Sequence, residues 1–459
     1  MKEVPLITWV NHAGYVVSYK NINLLVDPWH SGTSFNDGWK LLTNTYFPRS
    51  LKDKINYIWI SHEHPDHFSP RDIVKLDKNN RIKIIFQKTK DNRVLNFLNQ
   101  RGFEVIQLNN YEEFKIHHNF RVRIIKNDEI DSLSIFEVNK KIIINTNDCV
   151  LSEKKLNFIT KKANINHSDI LLTQFSYASW IGNPNQYQMR KKASKEKLEQ
   201  IKSQIKYFKP KITIPFASYI YFSHYENQYM NDEITKLEDV KKVINNNGSK
   251  ALFLFPGSKY AITNNDISKF DKDYKKYNKI FSKLKSLKFV RSKKIKYSLL
   301  EINSKKYLQE LYKKNGKLIM RIFYYFSLFL NFFLKKDILG FSKTLIYLND
   351  IKKYVEFNWR VGLKSINKKN ISADVDISSD SLNYIFIHQW GIGSLMINGR
   401  GTYKNEYTKW KFIRIFSLGL INSHGQTLLR KSLEKFFFII QKKLEDTDPS
   451  FLDQSKLNR

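Results

Sequence analysis

The sequence predicts an α/β sandwich over residues 1–260, followed by a smaller α+β domain. Three observations support this division. Short apolar runs, such as residues 57–60, alternate with polar loops and occasional helical stretches in the first part, as in an αββα sandwich. Residues 261–317 are rich in lysine, which predicts a helical connector. Residues 318–459 begin with an apolar helix-like run, after which strand-like alternation returns.

A cluster of potential metal ligands directly follows the apolar run at 57–60. His62, His64, Asp66 and His67 have the spacing H-x-H-x-D-H. Alternate residues at a strand end project in set directions, so His62 and His64 can reach one metal while the other two turn towards a second. Imidazole and carboxylate donors suit zinc, iron or manganese, and a motif without thiolate argues against a closed structural zinc site. The motif therefore predicts a metal centre.

This motif and the strands around it resemble the metallo-β-lactamase superfamily over about residues 4–260. Strand-like runs at 7–17 and 22–28 are similar to the start of that family's sandwich, and the apolar run at 141–148 ends in an aspartate. The resemblance implies two divalent metal ions, zinc or iron, with Asp148 bridging them and His224 as the last histidine ligand. It also implies catalytic roles for Asp148 and for Asp66, which would bind the second metal and orient the nucleophile.

Five stretches resemble a narrower family, the CMP-N-acetylneuraminate hydroxylases. They are residues 27–29 (DPW), 35–39 (FNDGW), 145–149 (NTNDC), 215–219 (PFASY) and 222–229 (FSHYENQY). That family joins a Rieske iron–sulfur domain to a metallo-β-lactamase-like domain and oxidises a nucleotide sugar. A Rieske cluster needs two cysteines and two histidines, whereas this chain contains one cysteine, Cys149. We therefore expect no Rieske cluster. Without that cluster, the route by which electrons enter the family's metal centre is missing.

The third ligand of the first metal departs from the superfamily pattern. Residues 120–135, where the superfamily usually has a histidine, offer Asp128 and Asp131. Either carboxylate would favour iron or manganese, because it makes the donor set harder. His117 or His118 could serve only if the loop folds back, and a weakened or empty first site is the remaining alternative.

Several further residues are candidates for supporting roles. His12 and Asp27 lie near predicted strand ends, where they could orient the metal ligands; a core histidine and a strand-end cap are the alternatives. Trp39, Tyr177 and Trp180 fall where a substrate loop or an aromatic wall should lie, so we expect them to bind substrate.

The composition favours an anionic partner. The chain has 78 Lys and Arg against 43 Asp and Glu, a net charge of +35, which attracts phosphates, nucleotide sugars, nucleic acid or acidic lipid. A lysine-rich composition spread over the whole surface is the alternative. Nucleic acid is not the expected partner, because no nucleic-acid-binding motif is visible. The single cysteine and the absence of a signal-like start predict a cytoplasmic protein, and no feature specifies an oligomeric state.

The C-terminal part has weaker signals. Residues 318–334 form an apolar run that is shorter than the about 20 residues of a membrane span. A buried or membrane-surface helix fits this run better than a membrane span. We expect a helix of the C-terminal domain, and a peripheral membrane role is the minor alternative. Farther along, 353–361 and 371–377 read as strands, 379 begins a helix, and 391–401 reads as a strand and turn. The pattern resembles the sterol-carrier-like domain of some metallo-β-lactamase-fold sulfatases, and an ordinary α+β interaction domain is the alternative.

Three functions are compatible with these features. The first is a metal-dependent hydrolase acting on an anionic substrate, such as a nucleotide sugar or a surface-glycan precursor, with metal-activated water as the nucleophile. The second is a di-iron oxygenase that hydroxylates a CMP-sialic-acid-like nucleotide sugar and receives electrons from a separate protein. The third is a binding protein with a degenerate metal site. Hydrolysis is the expected reaction, because it needs no electron donor.

Overall fold

The computed structural model describes residues 4–76, 81–128, 130–263, 266–335, 337, 339–367 and 372–432. The chain divides into two compact units, one with Met1–Arg291 and Ile397–Gly399 and the other with Ser292–Met396 and Arg400–Arg459. The first unit extends beyond the predicted boundary at residue 260, because Phe270, Tyr277 and Leu284 are buried in its core. The predicted connector is therefore divided between the two units.

Two mixed β-sheets form the centre of the first unit. Within the described residues, the first sheet has seven strands, in the spatial order β17 (Lys259–Ala261), β1 (Leu6–Asn11), β2 (Gly14–Tyr19), β3 (Ile22–Val26), β6 (Tyr57–Ile60), β7 (Lys83–Gln87) and β8 (Glu104–Leu108). The second sheet, counted over the same residues, also has seven: β16 (Lys250–Ala251), β14 (Pro210–Phe216), β13 (Ser168–Gln174), β12 (Lys141–Asn145), β11 (Ser132–Val138), β10 (Phe120–Lys126) and β9 (Glu113–His117). A small sheet pairs β15 (Ile220–Phe222), β5 (Trp39–Leu41) and β4 (Thr33–Ser34).

Alternation along the strands separates the core between the two sheets from the outer faces. On β6, Trp59 lies in the central core, whereas Ile58 and Ile60 belong to a cluster on the opposite face. The Trp59 ring packs edge-to-face on Phe136 of β11, with ring centroids 5.6 Å apart. Successive side chains of a strand point to opposite faces, so each sheet can be covered on both sides.

Helices cover the outer faces of both sheets. Ile73 and Leu98 pack with the outer residues of the first sheet, and Ile201 and Ile205 of the longest helix pack on the second. The helices are α1 (Arg49–Lys52), α2 (Pro70–Ile73), α3 (Arg93–Asn99), α4 (Glu153–Lys162), α5 (Tyr187–Phe208), α6 (Leu237–Asn246) and α7 (Asp271–Phe281). This order of layers confirms the predicted αββα sandwich.

The C-terminal unit combines helices with a sheet in the order β20-β19-β18-β21-β22. Its elements are α8 (Tyr297–Asn315), α9 (Lys317–Leu334), β18 (Thr344–Leu348), β19 (Lys353–Asn358), β20 (Gly362–Ser365), β21 (Val375–Ile377), α10 (Ser379–Ile387), α11 (Gly391–Asn398), β22 (Gly401–Tyr403) and α12 (Glu406–Ser423). The strand predicted within 391–401 is wrong over 391–398, which are helical. Ile392 and Leu395 are both buried, and their spacing of three residues is that of one helix face.

One helix in the described part of the chain, α9, is long and apolar enough to cross a membrane by length and composition alone. The predicted sterol-carrier likeness of this unit stays a prediction.

Candidate metal centre

The candidate metal centre lies at one edge of the sandwich, where strands of both sheets end. From the first sheet, His12 and Asp27 directly follow β1 and β3, and His62 lies two residues beyond β6. From the second sheet, Asp131 directly precedes β11 and Asp148 follows β12. The neighbouring strand ends meet at the same edge, so residues far apart in sequence converge there.

The first ligand group consists of His62, His64 and Asp131. The Nε2 atom of His62 lies 2.9 Å from Nδ1 of His64 and 3.7 Å from Oδ1 of Asp131. Two donors on one ion, each bonded at about 2.0–2.2 Å, lie roughly 3–3.6 Å apart. The spacing therefore suits a single cation, and Asp131 is the carboxylate that faces the two histidines.

Asp128, the other predicted carboxylate, has a different position. It is exposed, and its Oδ1 accepts hydrogen bonds from the backbone N–H groups of Ile130 and Asp131 at 2.8 and 2.7 Å. Aspartates commonly stabilise turns in this way. Asp128 thus shapes the turn that presents Asp131, and it belongs to no ligand group among the residues that the structure describes.

The second ligand group consists of His12, Asp66 and His67. Oδ2 of Asp66 lies 3.4 Å from Nε2 of His12 and 3.2 Å from Nε2 of His67. Asp148 has its Oδ1 3.5 Å from the same His67 nitrogen and forms a further group with His62 and His67. Asp148 therefore neighbours one histidine of each group, which is the position that a bridging carboxylate requires.

His224, the predicted last ligand, belongs to none of the ligand groups found among the described residues. Its Nδ1 accepts a hydrogen bond from the backbone N–H of Glu226 at 3.1 Å and lies 3.4 Å from the Glu226 carboxylate. Its own backbone N–H donates to the side-chain oxygen of Asn227 at 2.9 Å, so the turn holds Nδ1 of the imidazole against its own loop. The structure places His12, predicted only as an orienting residue, beside Asp66 and His67, and the assignment of His224 as a ligand stays a prediction.

Buried polar atoms at the centre fit a pair of cations. In the described residues, Oδ1 of Asp66, Nε2 of His67 and Oδ1 of Asp131 are buried without a hydrogen bond of normal geometry. Each such atom costs about 1–3 kcal/mol unless it gains a partner, and a bound cation supplies one. The donor set comprises four imidazoles and three carboxylates, namely His12, His62, His64, His67, Asp66, Asp131 and Asp148.

Asp27 and Ser61 hold the imidazole of His67. Oδ2 of Asp27 accepts from Nδ1 of His67 at 2.9 Å and from the Ser61 hydroxyl at 2.8 Å, and Oδ1 accepts from the Ser61 backbone N–H at 2.8 Å. A neutral His67 that donates from Nδ1 keeps a free lone pair on Nε2, which faces Asp66. Asp27 lies where its predicted orienting role requires.

Two residues that the sequence analysis did not single out support Asp148. Gln174, at the end of β13, donates from its amide nitrogen to Oδ1 of Asp148 at 2.8 Å. The Lys197 ammonium group, on α5, donates to the amide oxygen of the same glutamine. Because lysine can only donate, it determines which end of the Gln174 amide faces the carboxylate. Neither residue is a typical metal ligand, so no sequence motif reveals this chain of contacts.

Burial and closely spaced charges shift the pKa values of the candidate ligands. Burial, with the neighbouring His67, lowers the pKa of His62 to about 4, so this imidazole is neutral at neutral pH. Burial, with the Asp148 carboxylate, raises the pKa of Asp131 to about 6. Burial opposes charge on Asp66 and His67 as well, but their mutual attraction outweighs it. It holds the pKa of Asp66 well below, and that of His67 well above, the ordinary value.

A cavity of about 640 Å³ opens onto the ligands His64, Asp66, Asp131 and Asp148. Phe35, Trp39 and Tyr177 form an aromatic wall, and Lys197 lines the same space. Trp39 and Tyr177 thus lie where the predicted substrate contacts require. Trp180 does not line this cavity; its indole N–H donates to the Tyr229 hydroxyl at 3.1 Å.

Comparison with known proteins supports the same fold. Residues 6–147 match the family model described as beta-lactamase superfamily domain. The chain is 25% identical over 252 residues to cytidine monophosphate-N-acetylneuraminic acid hydroxylase of Danio rerio, covering 50% of this chain and 41% of that protein. The matched segment thus spans about two fifths of the length of this relative.

Solved structures give weaker similarities. The diiron β-hydroxylase CmlA of Streptomyces venezuelae is 13% identical with a TM-score of 0.39, covering 57% of this chain and 55% of that one. A metallo hydrolase of Ignicoccus hospitalis is 17% identical with a TM-score of 0.36, covering 56% and 97%. The topology of the sandwich and the family match identify the N-terminal unit as a metallo-β-lactamase fold, which confirms the resemblance found in the sequence.

Proposed function

We propose that the N-terminal unit is a dinuclear iron enzyme that hydroxylates an anionic substrate, a nucleotide sugar of the CMP-sialic-acid type, with dioxygen. The observation that carries this proposal is the carboxylate of Asp131 in the first ligand group. With Asp148 beside it, the first cation would have two imidazole and two carboxylate ligands. Such a donor set is harder than one with three imidazoles and favours iron or manganese over zinc.

The substrate class rests on two further observations. The curated relative is named as a hydroxylase of cytidine monophosphate-N-acetylneuraminic acid, and its similarity extends over 252 residues, half of this chain. In addition, Lys197 brings a cationic group into the cavity beside the ligands. A lysine in a partly closed site attracts phosphate or carboxylate groups.

The reaction requires two electrons from outside the centre. A C–H bond of the substrate, dioxygen, two electrons and two protons give the hydroxylated product and one water molecule. A one-electron carrier protein, such as a separate iron–sulfur protein, is the class of donor that this balance needs. The iron pair, when bound, would supply the reductive activation of dioxygen.

The chain's own residues would bind and orient the reactants. Asp27 fixes the tautomer of His67, and Gln174 orients the carboxylate of Asp148, which would bind the metal ions. Trp39 and Tyr177 would exclude water from one side of the cavity, and Lys197 would hold the anionic group of the substrate.

Metal-dependent hydrolysis is the second candidate, and the position of Asp148 favours it. Asp148 neighbours a histidine of each ligand group, and zinc ions held there would supply activated water, because bound zinc lowers the pKa of water to about 7. A binding protein with a degenerate site is disfavoured, because His62, His64 and Asp131 converge within 4.8 Å.

Turnover with isotopically labelled oxygen separates these functions. The protein, reconstituted with iron, is incubated with CMP-N-acetylneuraminate and a reductant, under either labelled dioxygen or labelled water. Labelled oxygen from dioxygen in the product supports hydroxylation. Turnover without dioxygen, with the label entering from water, would instead establish hydrolysis. Asp148→Asn should abolish either reaction, whereas the exposed Asp128→Asn serves as the matched control.

A further inference from the structure

Helix α9 carries two apolar faces, and in the described part of the chain one of them is buried while the other is exposed. Met320, Tyr324 and Ser327 are buried and follow the i, i+4, i+7 spacing of one helix face. On the opposite side, large apolar side chains are exposed over the whole length of the helix, with exposed fractions from 50% at Tyr325 to 80% at Phe332. The exposed set is Leu318, Ile322, Tyr325, Phe326, Phe329, Phe332, Phe333 and Leu334.

The buried face ties α9 firmly to the C-terminal unit. The Ser327 hydroxyl donates to the buried Asp337 carboxylate at 2.5 Å, and the same carboxylate accepts the backbone N–H groups of Gly340 and Ser342. Phe323 contacts the ring of Phe341 with centroids 6.2 Å apart. A helix held along its length in this way cannot also be surrounded by lipid, so it does not act as an independent membrane span.

The exposed apolar face is flanked by positive charge. Lys317 begins the helix, Arg321 lies at the rim of the exposed face, and Lys335 follows the last residue; all three side chains are exposed. The helix contains no aspartate or glutamate. Exposed apolar patches of this extent usually mark an interaction surface, and basic residues at their rim match the anionic headgroups of a bilayer.

We propose that α9 docks on the surface of an anionic lipid bilayer, lying parallel to the membrane plane with its aromatic face inserted at the headgroup boundary. Phe and Leu supply the buried apolar area, while Lys317, Arg321 and Lys335 contact acidic headgroups. The charge of +35 on the whole chain acts in the same direction. This role belongs to the C-terminal unit and does not depend on the reaction proposed for the metal centre.

Vesicle binding of the full chain tests this docking. The protein is sedimented with vesicles of neutral phosphatidylcholine and with vesicles containing phosphatidylglycerol, at low and high salt. We expect binding to the anionic vesicles that weakens with salt. Since both rings would bury apolar area in the bilayer, the double variant Phe329→Ser, Phe333→Ser should bind at least about tenfold more weakly.

A matched control is Phe158→Ser, which removes a phenylalanine that is 55% exposed on α4 of the other unit. It should bind vesicles like the unmodified protein, and circular dichroism checks that all variants remain folded. Failure of the full chain to bind anionic vesicles, or equal binding by the α9 double variant, would overturn the proposal. So would a change of oligomeric state in that variant without a change in vesicle binding. Resistance of the bound protein to alkaline extraction would contradict a helix that lies on the surface.

Discussion

Replacing Asp27 by asparagine should disturb the second metal without touching any of its ligands. The Asp27 carboxylate accepts three hydrogen bonds, two from Ser61 and one from Nδ1 of His67. An asparagine that keeps its oxygen towards the Ser61 backbone N–H presents its NH2 group to His67. The imidazole must then accept at Nδ1, which moves its proton to Nε2, the atom that faces Asp66. The metal-binding lone pair is lost in that tautomer.

The expected size of this effect is set by the competition between tautomers. Removing the hydrogen-bond partner behind a ligating histidine typically costs 10–100-fold in metal affinity, or about 1.4–2.7 kcal/mol. The buried carboxylate also stabilises the fold, so a matched control is needed. Asp72 provides it, because it is similarly buried and accepts hydrogen bonds from His30, Ser31 and Ser69, but contacts no metal ligand.

Competition with a chromophoric chelator measures the affinity of each site in the two variants. Asp27→Asn should weaken one of the two sites by 10–100-fold, and Asp72→Asn should leave both sites unchanged, whatever its effect on stability. Equal losses in both variants would refute the tautomer argument, because the effect would then come from general destabilisation.

Three further predictions concern single side chains. Asp131→Asn should reduce occupancy of one metal, whereas Asp128→Asn should not; equal metal content in both would show that the first site needs neither. His12→Gln should weaken the second metal more than His224→Gln does, and the reverse order in metal analysis would restore the ligand assignment expected from the sequence. Burial lowers the pKa of His30 from 6.5 to about 4, so the folded protein disfavours the protonated form. Neutral His30 contributes fully to the free energy of unfolding above pH 6.5. This contribution is lost as the pH falls towards 4, and the loss is about 2 kcal/mol at pH 5. Denaturation of metal-free protein at about pH 7.5 and pH 5 should therefore show a smaller acid loss in His30→Gln, and an unchanged loss would contradict this assignment.

The parts of the centre that are local in sequence could be predicted, and those that depend on tertiary convergence could not. His62, His64, Asp66 and His67 lie within six consecutive positions after one strand, so their proximity follows from the strand end alone. His12 follows a strand at another position in the sheet. The number of residues between His12 and the motif does not show how close they are in space. His224 lies in a stretch that resembles the family, and a local turn holds its Nδ1 atom beside Glu226.

The sequence could not show which of Asp128 and Asp131 faces the first metal, although the two residues are close together in the chain. Both carboxylates lie in one turn, and only the hydrogen bonds of Asp128 to that turn reveal that Asp131 is directed inwards. The sandwich itself was predictable from its strands. Successive side chains point to opposite faces, so a strand buried on one face alternates apolar and polar residues, and a strand buried on both faces is apolar throughout. Residues 391–398 were not, since a short apolar run with two glycines suits a strand as well as a buried helix.

The proposed oxygenase function depends on Asp131, whose carboxylate would make the first site a hard, iron-selective one. The direct measurement is the iron and zinc content of the anaerobically purified protein, compared with that of Asp131→His, which restores the histidine usual in the superfamily. We predict mainly iron in the unmodified protein and a shift towards zinc in the variant, with loss of dioxygen-dependent turnover. Zinc in both proteins, with turnover independent of dioxygen, would contradict the proposed function.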